Sequence, residues 1–158
     1  MAALKQSARA VQDALAAAGL ACEVVELPAS TRTAKEAADA IGCHVAQIAK
    51  SIVFKAASSD RAVLVIASGA NRINESSVAI HLGETLEKAT PEFVRKTTGY
   101  AIGGVPPCGH ANSIAIFVDR TLLDLDDLWA AAGTPNAVFR LYPEQLVSLT
   151  RGMIIDVT

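Results

Sequence analysis

Lys50 is the first side chain whose setting points to chemistry. In an extended segment it shares a face with Ile52 and Phe54, whereas Ser51, Val53 and Lys55 point the other way. A lysine among large apolar neighbours either carries its charge outward from the strand end or meets a specific anion. Lys55, at the far end of the run, reads as ordinary surface. The second candidate is the loop Gly103-Gly104-Val105-Pro106-Pro107-Cys108-Gly109-His110. Its glycines let the backbone approach a ligand and present N–H groups, and its prolines hold one shape, so ordering it on binding costs little entropy. Those are the ingredients of a preorganised oxyanion site, or of a tight crossover between elements.

Cys108 and His110 invite a nucleophile–base or a metal reading, and adjacent Cys43 and His44, directly after a helix-ending glycine, do no better. Residues two apart in a Pro/Gly loop need not face each other, and no CxxC or HxxxH pair completes a zinc set, so no metal is expected. His81 reads as a favourable charge at a helix C-terminus, and Glu75, Glu84 and Glu87 as solvated helix surface.

The elements that must position these groups alternate along the chain. Helices are predicted within Leu4–Ala18, over Thr33–Ile41 with Thr33 and Glu36 as a capping box and Gly42 as the stop, and over Asn74–Leu82 ending at Gly83. Thr90-Pro91-Glu92 opens another, closed by Gly99, and Asp124–Ala132 and Pro143–Leu149 read as two more. Strands are predicted at Ala21–Leu27, Ser51–Ala56, Ala62–Ala67, Ser113–Val118, Ala137–Leu141 and Met153–Val157, the second and third forming a hairpin across Ala57–Arg61. Glycines and two adjacent prolines keep Tyr100–Asn112 irregular. Strict βαβ repetition is missing, so a mixed α/β or α+β sheet is expected rather than a doubly wound one. No G-x-G-x-x-G or Walker loop follows a strand, and no cofactor is expected.

Composition narrows the classes. The 158 residues are 51% hydrophobic and 19% charged, enough to bury a core in one domain spanning 1–158 without staples. Only 4% are aromatic, which argues against a base-stacking sheet. Net charge is −2, so the chain can grip a few phosphates and not a long duplex; DNA is not an expected partner. No apolar run is long enough for a membrane span, and Met1–Ala10 carries no leader-type apolar stretch. With three widely spaced cysteines, Cys22, Cys43 and Cys108, a reducing cytoplasmic setting is expected.

Four segments taken together resemble a known family. They are Arg32-Thr33-Ala34-Lys35-Glu36-Ala37-Ala38, Gln47-Ile48-Ala49-Lys50-Ser51-Ile52-Val53-Phe54, Gly103 through His110, and Phe139-Arg140-Leu141 before Pro143-Glu144. In order and spacing they resemble the YbaK family, the prolyl-tRNA-synthetase-associated (ProX-type, INS-like) editing domains, from about Ala21 to Val157. The resemblance implies a mixed α/β domain whose central, largely antiparallel sheet curls into a barrel-like form. It implies a free-standing deacylase that cleaves the ester between a wrong amino acid and the 3′-terminal adenosine of a tRNA, commonly tRNA-Pro carrying alanine or cysteine. A prolyl-tRNA synthetase is a further implied partner.

By the same resemblance Lys50 is the family lysine, and Gly103, Pro107 and Gly109 belong to its G-x-x-x-P-x-G loop. Lys50, Gly103 and Gly109 are then expected in catalysis, with Thr33, Ser51, Ile52, Gly104, Val105, Pro107, Cys108 and His110 against the substrate. Cys108 stands where other members carry a bulkier residue, which bears on pocket size. An aminoacyl ester is already activated, so positioning and electrostatics suffice and no triad is needed. Two other classes compete: a non-catalytic module that only delivers an aminoacyl-tRNA end, and a thiol redox protein using Cys108.

Overall fold

The computed structural model describes residues 4–158, so Met1–Ala3, part of the Met1–Ala10 segment and of the 1–158 domain read above, lie outside the described residues. Its spine is the hairpin of β2 (Ile48–Ala56) and β3 (Ala62–Ser68), paired antiparallel from Ala49↔Ser68 to Lys55↔Ala62. All seven residues of β3 are buried, as an unbroken apolar run demands when both faces of a strand are covered. The other strands are β1 (Val24–Glu26), β4 (Leu86–Lys88), β5 (Ala115–Asp119), β6 (Leu128–Ala131), β7 (Ala137–Leu141) and β8 (Met153–Ile155). They form one sheet in the order β1-β7-β6-β2-β3-β5-β8, with β4 also on β2.

β1/β7, β7/β6, β2/β3 and β2/β4 are antiparallel, and β6/β2, β3/β5 and β5/β8 parallel. The mixed α/β architecture is the one expected, but the sheet stays open instead of closing toward a barrel. Its end strands, β1 and β8, have three residues each and do not pair with one another.

Five helices cover it: α1 (Gln6–Ala17), α2 (Ala34–Ile41), α3 (Glu75–Leu82), α4 (Pro91–Thr98) and α5 (Pro143–Thr150). One face packs Val11 and Leu15 of α1, Val94 of α4 and Leu146 of α5 onto Leu64, Ile66, Val118 and Phe139. The other packs Val78 of α3 onto Phe54, Val63, Val65 and Phe117, and a smaller cluster sets Ala37 and Ala38 of α2 on Ile48. The helix caps hold where predicted, although the Thr33–Glu36 capping box is half made: among the described residues only the Glu36 N–H to Thr33 Oγ1 bond is present. Thr33, Asn74 and Thr90 accept first-turn N–H bonds, and Gly42, Gly83 and Gly99 end their helices left-handed.

Two expectations besides the barrel are overturned. Glu84 and Glu87 are not helix surface: Glu87 lies in β4, and Glu84, past the end of α3, accepts from the N–H groups of Ser58 and Ser59, the Ser59 hydroxyl and Arg61. Asp124–Ala132 is not a helix: a short 3-10 turn (Arg120–Asp124) leads into β6, which pairs antiparallel with β7. Leu128 and Ala130 point into the core while Trp129 and Ala131 alternate outward, a period of two that four residues cannot advertise against alanine's helix propensity. β4, shorter still at three residues, gave no signal.

Candidate functional site

The site is a break in the sheet. Along one edge β2 is paired throughout by β3; along the other, β6 reaches only Ile48–Ala49 and β4 only Phe54–Ala56. Lys50–Val53 therefore have no partner strand on that edge. The Ile48 carbonyl accepts from Gly69 N–H on the β3 side (2.8 Å). Backbone groups alternate edges along a strand, so those of Ser51 and Val53 face the break. A cleft of about 610 Å³ opens there, floored by Ala49–Phe54. Thr33, Ala34 and Ala37 of the α2 start, Ile102, Gly103 and Val105 of the loop, and Trp129, Ala131 and Val138 of β6–β7 wall it.

Lys50 is held from behind. Its Nζ donates to the Asn71 carbonyl at 2.7 Å, and Asn71 Nδ2 donates to Asp119 Oδ2 (2.9 Å) and Thr121 Oγ1 (3.0 Å). Asp119, 1% exposed, also accepts from the N–H groups of Ser68 and Thr121. Burial pushes the Lys50 ammonium below the ordinary lysine range, and the Asp119 charge pulls it partly back. Among the described residues two of its three donors stay uncommitted, so the cation is aimed rather than neutralised. Ile52, on the same face, is 38% exposed. Ser51 Oγ is buried without a hydrogen-bond partner, alone in this among the buried side-chain polar atoms of the described residues. An orphan of that kind asks for an explanation, and a cleft it lines supplies one.

The glycine loop divides. Gly103 takes φ +90°, and a Cβ there would lie 2.6 Å from Arg32 Cγ, so the Arg32 stem rests across it. Gly104 donates to Ala101 (3.0 Å) and accepts from Gly133 (2.8 Å), tying the loop to the β6–β7 turn; a Cβ would come 2.9 Å from Thr134 N. Among the described residues the N–H groups of Gly103 and Val105 have no intramolecular acceptor.

Behind the loop, Tyr100 Oη donates to the Gly109 carbonyl (3.2 Å), and Gly109 packs toward Tyr100 and Ala14 of α1. His110 Nε2 lies 2.7 Å from the Pro106 carbonyl, so it carries the proton there; burial holds the ring below its usual pKa, against the pull of that bond. Cys108 sits in the main core, its thiol pushed up to about 11 by burial and the neighbouring Cys22.

Of the residues expected at the site, Thr33, Lys50, Ser51, Ile52, Gly103 and Val105 line the cleft, and Gly104, Pro107, Cys108, Gly109 and His110 lie outside its lining. Among the described residues no group of three His, Cys, Asp or Glu side chains could hold a metal. The sequence reading missed Asn71 and Asp119 behind Lys50, and Arg72 and Lys88 at the rim. Arg32 alone had a signal, as the residue before the Thr33 cap.

Comparison with known proteins agrees on one family. Residues 28–149 match the family model of the aminoacyl-tRNA editing domain. A solved structure of a proposed trans-editing enzyme for prolyl tRNA synthetase is 48% identical, with a TM-score of 0.92 over 99% of each chain. Protein YwhH of Bacillus subtilis is 31% identical over 78% of this chain and 78% of its own. The proline–tRNA ligase of Kosmotoga olearia is 34% identical over 66% of this chain, which spans only 18% of that enzyme.

Proposed function

The chain belongs to the aminoacyl-tRNA editing domain family, and from that premise we propose that it hydrolyses the ester of a tRNA, tRNA-Pro in the first instance, mischarged with a small amino acid such as alanine or cysteine. The observation that carries this is the break in β2, which sets a half-buried cation, an unpartnered hydroxyl and free backbone groups around one cleft. The domain is taken to run over the whole 1–158 chain and to work in the cytoplasm, where charged tRNA is found, with a prolyl-tRNA synthetase as its companion.

In this reading the aminoacyl-adenosine lies along β2. Lys50 Nζ donates to the substrate's anionic or carbonyl oxygen, and the N–H groups of Gly103 and Val105 stabilise the tetrahedral oxyanion. Ser51 Oγ takes the hydrogen bond it lacks. A water ordered by the adenosine's vicinal hydroxyl adds to the carbonyl, and the ribose oxygen departs with a proton. A cysteinyl substrate has a second route, its own thiol displacing the ribose oxygen. Thr33 and Ile52 wall the substrate, and Ala34, Ala37, Ala131 and Val138 leave room for a small side chain. Gly104, Pro107, Cys108, Gly109 and His110 act from behind, by holding the loop.

The test is to incubate the pure protein with Ala-tRNA-Pro and Cys-tRNA-Pro, with Pro-tRNA-Pro as control. Ester loss above the spontaneous rate on the first two supports the reading. Tight binding without ester loss would instead identify a delivery module.

A further inference from the structure

The rim of the cleft carries charge that hydrolysis of an ester does not require. Arg32, Arg72 and Lys88 are exposed and line its mouth, outside the half-buried Lys50. Among the described residues Glu75 is the only carboxylate lining the same cleft. Four cations and one carboxylate thus meet in a chain whose net charge is −2.

The ion pairs sharpen the contrast. Among the described residues they engage Arg9, Lys55, Arg61, Arg120 and Arg140, none of which lines this cleft. Among the described residues the rim cations have no carboxylate partner within ion-pair distance. Arg32 is moreover placed, its stem lying across Gly103 because that residue has no side chain. The first turn of α2, whose free N–H groups carry partial positive charge, opens on the same wall through Thr33 and Ala34.

We propose that Arg32, Arg72 and Lys88 form a phosphodiester clamp for the single-stranded 3′ end of an RNA. This rests on the reading above for its substrate: an adenosine whose ester lies at Lys50 must lead its 5′ phosphate, and the nucleotide before it, out past these side chains. The clamp gives affinity and register without reading bases. Its local character reconciles RNA binding with an acidic chain, because only the acceptor end is gripped.

The experiment measures binding of an uncharged acceptor-stem hairpin ending in CCA by fluorescence anisotropy across a potassium chloride series. Arg72→Ala/Lys88→Ala is compared with wild type and with Arg9→Ala/Arg120→Ala, which removes the same charge from outside the cleft. Loss of two single-strand phosphate contacts should flatten the log–log salt slope by about 1.4. At low salt it should weaken binding about tenfold. The charge-matched control should keep the wild-type slope. Equal slopes for the two double variants, or no binding by wild type, overturn the clamp. If wild type binds through Arg72 and Lys88 yet leaves mischarged tRNA intact, the clamp stands and the proposed hydrolysis falls.

Discussion

Lys50 Nζ rests 2.7 Å from the carbonyl oxygen of Asn71, and Asn71 passes that contact to the buried carboxylate of Asp119 through its own amide. The cation is thus tethered through an intermediary instead of being quenched by a direct ion pair. That arrangement keeps a strong donor in place while leaving its charge for a ligand.

Lys50→Ala is expected to lower deacylation roughly 30- to 1000-fold, the worth of a charge-assisted bond of about 2–4 kcal/mol, with a near-native melt. Near-normal activity, or a collapsed melt, would take Lys50 out of the chemistry.

In the proposed reaction, protonation of Lys50 is expected to set the alkaline limit of activity, below that of an exposed lysine because burial lowers its pKa. The Asp119 charge raises it, so Asp119→Asn should move the alkaline limb to lower pH. Rates net of spontaneous hydrolysis between about pH 7 and 10.5 read the limb, centred on the range below lysine's usual value. An unmoved limb in Asp119→Asn would break the electrostatic link.

Ser51→Ala should separate stability from activity. Removing a buried hydroxyl that has no partner is neutral or stabilising by up to about 1 kcal/mol in the free protein. Activity should fall about tenfold, one neutral hydrogen bond to substrate. A lowered melt with unchanged kcat/KM would mean the hydroxyl serves the fold.

Gly103 and Gly109 both hold positive φ, +90° and +73°, so either alanine strains the loop. Each should cost about 1–2 kcal/mol of stability. Only Gly103→Ala also displaces the Arg32 stem and a cleft wall, so it alone should depress the single-turnover rate. Equal rates for the two variants would remove the loop from the chemical step.

His110 and Cys108 bear on stability. His110 has a folded pKa below its unfolded value, so its contribution is complete above an unfolded pKa of about 6.5 and is lost as pH falls through the folded one. His110→Gln, which keeps a donor for Pro106, should flatten the fall of melting temperature as pH drops below about 6.5. Cys108→Ser should lose about 1–3 kcal/mol from a buried hydroxyl yet keep its activity; an inactive, folded variant would revive the thiol as nucleophile.

What the sequence disclosed was local. Thr33 with Gly42, Asn74 with Gly83 and Thr90 with Gly99 bracket helices whose caps depend on near neighbours. Lys50 could be singled out because alternation along one strand put it beside Ile52 and Phe54. The cleft itself is an absence of pairing, set by where Trp129–Ala130 and Leu86–Lys88 stop along β2, and no pattern within β2 records it. Asn71 and Asp119 escaped for the same reason, since the fold joins them across 48 residues. β6 was misread because four residues of alanine-rich strand resemble helix until β7 is there to pair with them.

The break in β2 also sets a ceiling on how rugged this protein can become. Prolonging β4 toward Val53, or the β6 pairing beyond Ala49, would complete the ladder and raise the melting temperature. Either change would zip shut the space where Ser51 and Val53 present their backbone. Selection for heat resistance alone would drift toward a seamless and inert sheet. Selection for accurate protein synthesis would keep four positions of one strand permanently unfinished, and the two pressures meet on that single edge.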